Sequence, residues 1–449
     1  MATRTGRPDS RLTPARAAAY RVLRRVTRDG AWADRAFRAE AERARLDPRE
    51  RAFAQQLAFG TVQRLRTVDH ALAAAASRPL RKVETALLDA LRLGAFQLLF
   101  LDGVPDHAAV EQTVDLVKAE SQRAAGFANA VMRRVAREGR AAVDAIDDET
   151  PGGAALRHSH PDWVAEMWWA QLGPVGAREL MARDNEPPES ALRANTLVTG
   201  PEELAALMGV PSHPAPGVPE GLVMDGAWDA HGSAPFADGL LIPQSRGSMT
   251  VARVLDPQPG DRVLDMCAAP GAKTTHIAAL MGAQGSVVAM ELNARRADAL
   301  RANCVRMRAP NVDVVTGDGR EAPAGPFDRI LLDPPCSDLG TLQSRPDVRW
   351  RKTPEQVAGL VALQRELIDA ALERLGVGGT LVYSTCTISP DENEDQIDRL
   401  LEDRPDVERD DLARDRPEVA HPRASHYLQL LPHRDGADGF FIARLRRRG

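Results

Sequence analysis

Between Asp261 and Cys386 the chain alternates short apolar runs with segments of helical period, and this alternation constrains the fold more than any other feature. The runs are RVLDMC (262–267), SVVAME (286–291), VDVVTGD (312–318), DRILLD (328–333) and TLVYSTC (380–386). Helices are expected after Pro270, from Asn293 and through 355–375. Strands that each return through a helix run the same way, so the pattern predicts a mostly parallel sheet with helices on its faces. Ligands of such sheets sit outside the carboxyl ends of the strands. The residues that end these strands are therefore the first candidates for chemistry.

The first run passes into CAAPGAK (267–273) with a helix behind it. Cys267, Ala268, Ala269, Pro270, Gly271, Ala272 and Lys273 form a loop of mostly small residues whose backbone amides can approach a nucleotide or a methionine carboxylate. The G-x-G-x-x-G spacing is missing, which disfavours a nicotinamide site. Glu291 ends the second strand, where an acid can accept from two ribose hydroxyls. Asp318 ends the third, where a carboxylate can accept from an adenine amino group. Either acid alone could equally cap a following helix. Acids at successive strand ends favour the ligand reading.

Two cysteines share that edge. Asp333-Pro334-Pro335-Cys336-Ser337 closes the fourth strand, and Ser384-Thr385-Cys386-Thr387 closes a later one. Carbon 5 of cytosine takes a methyl group only after a thiolate has added to carbon 6, and the adduct must then lose a proton and expel the thiolate. One cysteine can open such a reaction and a second can help to close it. A thiol ordinarily ionises near pH 8.5, so the attacking one needs a positive charge or a hydrogen bond beside it. No cysteine lies in a C-x-x-C pair, so free thiols are expected; Cys304 reads as helix packing. The ten histidines have no metal-ligand spacing, so no metal is expected, and His107 and His276 read as structural.

The N-terminal third is different. From Thr13 to Glu138 apolar residues recur at helical spacing without strand alternation, as in Val83 to Leu101 and Gly126 to Arg137. The net charge of −5 hides a local excess, because residues 1–66 hold 16 arginines against 7 acids, while 391–418 hold 13 acids against 5 arginines. A basic N-terminal region suits a phosphate backbone or a solvated helix face. Residues 1–12 are read as a flexible terminus, 13–140 as a helical domain and 141–158 as a linker ending in Pro151-Gly152-Gly153. An accessory subdomain is expected over 159–240, opening on a helix with Trp163, Trp168 and Trp169, and a catalytic domain over 241–449. No run of about 18 apolar residues suggests a membrane span, and Met1 to Pro8 has no signal pattern. A cytoplasmic protein is expected.

LAFGTVQRLRTVDHAL (57–72), LGAFQLLFLDGVPDHAAVEQTVDLVK (93–118) and GFANAVMRRV (126–135) resemble the NusB-like RNA-binding domain. LDMCAAPGAKTTHIA, DPPCSDLGTLQSRPDVRW, TLVYSTCTISPDENEDQI and DGFFIARL (438–445) resemble the RNA cytosine-5 methyltransferase family of the NOL1/NOP2/Sun group, some bacterial members of which join both domains and act on small-subunit ribosomal RNA. The resemblance implies an α/β Rossmann-like class I methyltransferase domain preceded by an all-α NusB-like domain and a small accessory α+β subdomain. It implies S-adenosylmethionine as cofactor, held by residues 267–273, Glu291, Asp318 and Asp333. It implies Cys386 as nucleophile, Cys336 as the thiol that assists elimination, Asp333 near the base, and RNA, with 16S ribosomal RNA foremost, as partner. The family more often has Ala at Pro334, Gly at Ala272 and Gly at Asp338. A DNA cytosine methyltransferase would carry the Pro-Cys motif without Cys386, and an amino-group methyltransferase would carry an aromatic residue in place of Cys336. The remaining alternative is a NusB-like assembly factor with an inactive catalytic half.

Overall fold

A computed structural model of the protein describes residues 12–226 and 228–449; most of the basic N-terminal tail thus lies outside the described residues. The chain divides into two compact units, one of residues 1–186 with 345–350 and one of 187–344 with 351–449.

The first unit is helical throughout its described residues. Helix Thr85–Phe100 runs through its centre, with Leu87, Leu91, Leu93, Phe96, Leu98 and Leu99 all buried, and it ends before Pro105 as its sequence predicts. Helix Ala125–Asp144 packs Val131, Met132 and Val135 inward. The region read as a linker is instead partly helical. Pro151 takes the first turn of helix Pro151–His158 and Thr150 caps it by accepting from Gly153 N, so Pro-Gly-Gly starts a helix here. The next helix, Asp162–Arg183, kinks at Gly173 and buries Trp168 completely. It belongs to this unit and not to an accessory subdomain.

Arg345–Trp350 also folds into the first unit, although its sequence neighbours belong to the second. Arg349 is fully buried there and donates to Gln63 O, Ser159 O, Asp184 O and Asn185 Oδ1, while Trp350 Nε1 donates to Val62 O at 2.8 Å. A sequence boundary drawn at a single point could not anticipate a segment that returns.

The arginines of this unit are partly committed to its own acids. Arg21, Arg25 and Arg43 surround Glu40, and Arg24 pairs with Glu120. Arg35, Arg38, Arg45 and Arg49 are exposed.

The second unit opens with a four-stranded antiparallel sheet of β1 (Ala191–Ala194), β2 (Ser212–Pro214), β3 (Gly221–Met224) and β4 (Leu241–Pro243), in the order β2-β3-β1-β4. A larger sheet follows, made of β5 (Arg262–Met266), β6 (Ser286–Glu291), β7 (Val312–Thr316), β8 (Phe327–Leu332), β9 (Leu375–Thr385), β10 (Val407–Arg409), β11 (Leu428–Leu430) and β12 (Phe440–Arg447). Its order is β10-β12-β9-β8-β5-β6-β7, with β11 also on β12. The five strands β5 to β9 are parallel, and β12 pairs antiparallel to β9. The chain leaves β5 toward β6 and β7, then crosses back to β8 and β9. The order in which strands are added reverses between β5 and β8, and both strands open onto the same edge.

Local signals account for the helices that cover this sheet. Asn293 caps Ala294–Arg306, and a Thr353/Gln356 capping box with Pro354 starts Pro354–Arg374. Cys304 is buried on the first of these helices, as expected. Among the described residues no helix is long and apolar enough to cross a membrane.

Candidate active site

The loop after β5 turns sharply. Cys267 has φ 62° and Gly271 φ 102°, and a Cβ on Gly271 would stand 2.5 Å from Leu300 Cδ1, so only glycine fits. Ala268 N donates to Met290 O at 2.7 Å, tying the loop to β6, and Arg296 Nη2 donates to Ala269 O at 2.9 Å. Helix Ala272–Leu280 begins directly behind. Below it lies Asp265, fully buried and accepting from Thr274 Oγ1 at 2.6 Å; burial pushes its carboxyl up to about 7. Sequence reading passed over Asp265, which points into the core inside the quoted LDMC run, and Arg296, which lies on the helix after β6.

Glu291 ends β6 as expected and is 4 % exposed. It accepts from Asn293 N at 3.0 Å, and Arg296 Nη2 stands 3.4 Å from its other oxygen. Asp318 is two residues past the end of β7, and its carboxylate is engaged: it caps the turn Gly319–Glu321 and pairs with the Arg320 guanidinium at 2.7 Å. The hydrogen bonds from Arg320 hold it below the usual carboxylate range. The capping alternative weighed from sequence is thus realised at Asp318.

Asp333 follows β8. Its two oxygens are shared between Lys273 Nζ at 2.6 Å and Ser384 Oγ at 2.9 Å. Lys273 therefore bridges the first loop to the fourth strand, and its ammonium also lies 5.1 Å from the Phe440 ring centroid.

The two cysteines meet. Cys336 Sγ lies 3.4 Å from Cys386 Sγ, and Cys386 Sγ donates to Asp338 Oδ1 at 3.2 Å; Cys336 Sγ is 3.9 Å from the same oxygen. Cys336 is 7 % exposed, whereas Cys386 is half-buried. The Cys386 thiol is raised well above its ordinary value by the hydrogen bond with Cys336, by burial and by the charges of Asp338 and Asp333. For Cys336 the contact with Cys386 lowers the value, but burial and the charges of Asp338 and Glu392 outweigh it. The sequence leads to an expectation of a group that favours the thiolate of Cys386; its hydrogen bond runs instead to the Asp338 carboxylate, whose charge opposes ionisation. The three atoms lie within 4.8 Å of one another, close enough to share an ion. Two thiolates on a tetrahedral zinc with bonds of about 2.3 Å would stand about 3.8 Å apart, so 3.4 Å is the spacing of a thiol hydrogen bond.

Both cysteine loops rest on one buried residue, Glu392, from the P-D-E-N segment at 390–393. It accepts from Ser337 N at 2.8 Å, from Ser337 Oγ and from Gln364 Nε2 at 3.0 Å, and Ser337 Oγ is 2.6 Å from Thr387 Oγ1. Asn393 Nδ2 donates to Thr387 O at 3.1 Å. Gly340 N donates to Cys386 O at 2.9 Å and Gly439 N to Gly340 O at 2.7 Å. A Cβ on Gly340 would sit 2.2 Å from Gly439 O, which explains why D-G-F-F belongs to the same motif set. His276 is buried against Glu220 on the helix that follows the loop after β5, as a structural residue should be, whereas His107 is exposed.

The profile of the 16S rRNA methyltransferase RsmB/F family matches residues 252–446, and that of the NusB family matches 13–137. A Synechocystis protein named a probable ribosomal RNA small subunit methyltransferase B is 37 % identical over 96 % of this chain and 99 % of its own length. The chain belongs to the RsmB/F family of rRNA methyltransferases. A Pseudomonas putida ribosomal RNA small subunit methyltransferase B is 32 % identical over 96 % of this chain and 98 % of its own. NSun6 from Pyrococcus horikoshii, solved with the S-adenosylmethionine analogue SFG, is 25 % identical, covers 64 % of this chain and 98 % of its own, and superposes with a TM-score of 0.59. Membership makes residues 252–446 a class I methyltransferase domain and residues 13–137 a NusB-type domain, the fold class expected from sequence.

Proposed function

We propose that this family member transfers the methyl group of S-adenosylmethionine to carbon 5 of a cytosine in RNA, with 16S ribosomal RNA as its substrate. The observation that carries the reading is the 3.4 Å approach of Cys336 and Cys386, which arrive from different strand ends at the ligand edge of the sheet. A methyltransferase acting on an exocyclic nitrogen or a ribose oxygen has no use for two thiols there.

The donor set beside them suits the cofactor. The Gly271 loop brings backbone amides to a helix start, Glu291 presents a buried carboxylate to ribose hydroxyls, and Asp333 stands between the cofactor loop and the cysteines. Residues 267–273, Glu291, Asp318 and Asp333 would hold S-adenosylmethionine, with Asp318 offering whatever lone pair Arg320 leaves free to an adenine amino group. When bound, the cofactor supplies an electrophilic methyl group on a sulfonium. Cys386, the more accessible thiol, adds to carbon 6 and makes carbon 5 nucleophilic. Cys336, deeper in the same cluster, assists loss of the carbon 5 proton and expulsion of Cys386. Lys273 holds the Asp333 carboxylate in place, and that carboxylate can meet the ring nitrogen of the base.

Denaturing gels with S-adenosylmethionine and ribosomal RNA test this division of labour. Cys386→Ala should neither methylate nor form a covalent adduct. Cys336→Ala should add and methylate but stall as a protein–RNA complex. The opposite pattern would reverse the roles. An adduct with neither variant, and no 5-methylcytosine from the unaltered protein, would favour an assembly factor with an idle catalytic half.

A further inference from the structure

Asp338 has no place in the reading above, yet it touches the nucleophile. Its Oδ1 accepts from Cys386 Sγ at 3.2 Å, the shortest contact in the thiol cluster. Its backbone has φ 61°, a left-handed conformation that favours glycine and is tolerated best by Asp and Asn among other residues. The turn is held from several sides. Thr341 N and Thr341 Oγ1 donate to Asp338 O at 3.0 and 2.9 Å, while Gly340 N binds Cys386 O at 2.9 Å. The carboxylate is thus locked over the sulfur by a strained turn. It occupies a position where the family pattern more often has a glycine, which would leave the sulfur without it.

We propose that Asp338 is the proton acceptor for Cys386, a catalytic residue additional to the two thiols; the inference rests on the covalent cytosine-5 reading. As the Cys386 sulfur bonds to carbon 6, its S–H bond breaks and the proton passes to Asp338 Oδ1. The π pair between carbons 5 and 6 forms the new bond to the methyl group, whose former bonding pair remains on the cofactor sulfur. On release the carbon 5 proton passes, with Cys336 assisting, to water, and its bonding pair restores the double bond. The carbon–sulfur pair returns to Cys386, and Asp338 hands back the proton. Glycine at this position leaves water to take the proton, so the carboxylate accelerates attack without being indispensable.

Other charged or titratable groups around the pair are Cys336 and Asp333, from the loop that also carries Asp338, with Lys273, Glu392 and Lys352, whose Nζ donates to Cys336 O at 3.2 Å. Lys273 is committed to Asp333 at 2.6 Å, and Glu392 to Ser337 and Gln364. Of the carboxylates, only Asp338 lies within hydrogen-bonding distance of Cys386 Sγ among the contacts described here.

The test uses the full chain, S-adenosylmethionine and a 16S ribosomal RNA transcript in which 5-fluorocytidine replaces cytidine. Such a base has no carbon 5 proton to lose, so the adduct persists in a denaturing gel and its rate of formation reports attack. Asp338→Asn keeps a hydrogen-bonding side chain but cannot take the proton, and Asp338→Gly suits the left-handed backbone. Both should form adduct about 100-fold more slowly at pH 7, the low end for general base catalysis, with a rate that climbs steeply toward pH 9 as hydroxide takes over. Cofactor affinity by calorimetry should be unchanged. Three results would overturn the proposal: either variant reacting like the unaltered protein, a loss that does not vary with pH, or a loss in Asp338→Asn that Asp338→Gly restores. If the unaltered protein forms no adduct, the covalent reading fails and this inference fails with it.

Discussion

Replacing Glu392 by alanine should weaken the fold and misplace both thiols at once. The side chain is fully buried, and its carboxylate takes three hydrogen bonds. Two of the donors keep a second partner when it is removed: Ser337 Oγ retains Thr387 Oγ1 at 2.6 Å, and Gln364 Nε2 retains Pro335 O at 3.0 Å. Ser337 N is left with none of these, and a buried orphan donor costs about 1–3 kcal/mol. The cavity adds to this. Against it stands the relief of a buried acid, since burial already raises the Glu392 carboxyl above its ordinary value. The balance is a loss of about 2 kcal/mol, with Glu392→Gln losing about half as much because an acceptor survives. Urea titrations of both variants beside the unaltered protein measure it. Methyl transfer should fall in parallel while cofactor affinity holds, because Ser337 and Thr387 each adjoin a cysteine and neither belongs to the cofactor loop. An alanine variant with an unchanged midpoint and unchanged turnover would show that Glu392 does not organise the site.

Glu291→Ala should weaken S-adenosylmethionine binding by about 1–3 kcal/mol in titration calorimetry, the range for hydrogen bonds to a charged group; an unchanged dissociation constant would remove Glu291 from the cofactor site. Burial works against the ionised form of Glu394, but His421 and Arg423 hold its carboxyl down at about 2, against an ordinary value of 4.5. Its stabilising contribution, about 3 kcal/mol, is present above pH 4.5 and is lost as the pH falls toward 2. The gap in urea midpoint between the unaltered protein and Glu394→Gln should therefore shrink from pH 5 to pH 2.5, and a constant gap would refute the assignment.

The parallel strands were legible because buried β-runs and amphipathic helices have different periods, and the ends of those runs located Glu291, Asp333 and Cys386 to within a residue, with Cys336 four residues past the end of β8. The supporting residues were not. Glu392 and Asn393 sit in a stretch with 13 acids against 5 arginines, where sequence suggests a solvated surface and gives no sign that one acid turns inward. Asp318 was placed at a strand end, but its pairing with Arg320 two residues later depends on a turn that the pattern does not encode. Domain limits were the weakest part. Pro151-Gly152-Gly153 suits a linker or a helix start equally well, and Thr150 decides between them. Arg345–Trp350 lies in a motif quoted as catalytic, and only the buried guanidinium of Arg349 reveals that it packs with helices more than 150 residues earlier.

The charges around the thiols carry a consequence for catalysis. Burial, with Asp333, Asp265 and Glu291 nearby, pushes Cys267 up to about 12, and burial with Asp265 pushes Cys304 up to about 11. Cys336 and Cys386 are raised as well. The carboxylates of Asp265, Glu291 and Asp333 gathered around Cys267 suit a cationic sulfonium, and the same field opposes every thiolate beside it. The cation best placed to relieve that field, Lys273, is held by Asp333 and is itself raised above its ordinary value, so its charge is already balanced. A site that favours the cofactor in this way does not store a free thiolate. On the covalent reading proposed above, the proton of Cys386 moves during attack rather than before it, and the rate of attack becomes a question of which group receives that proton.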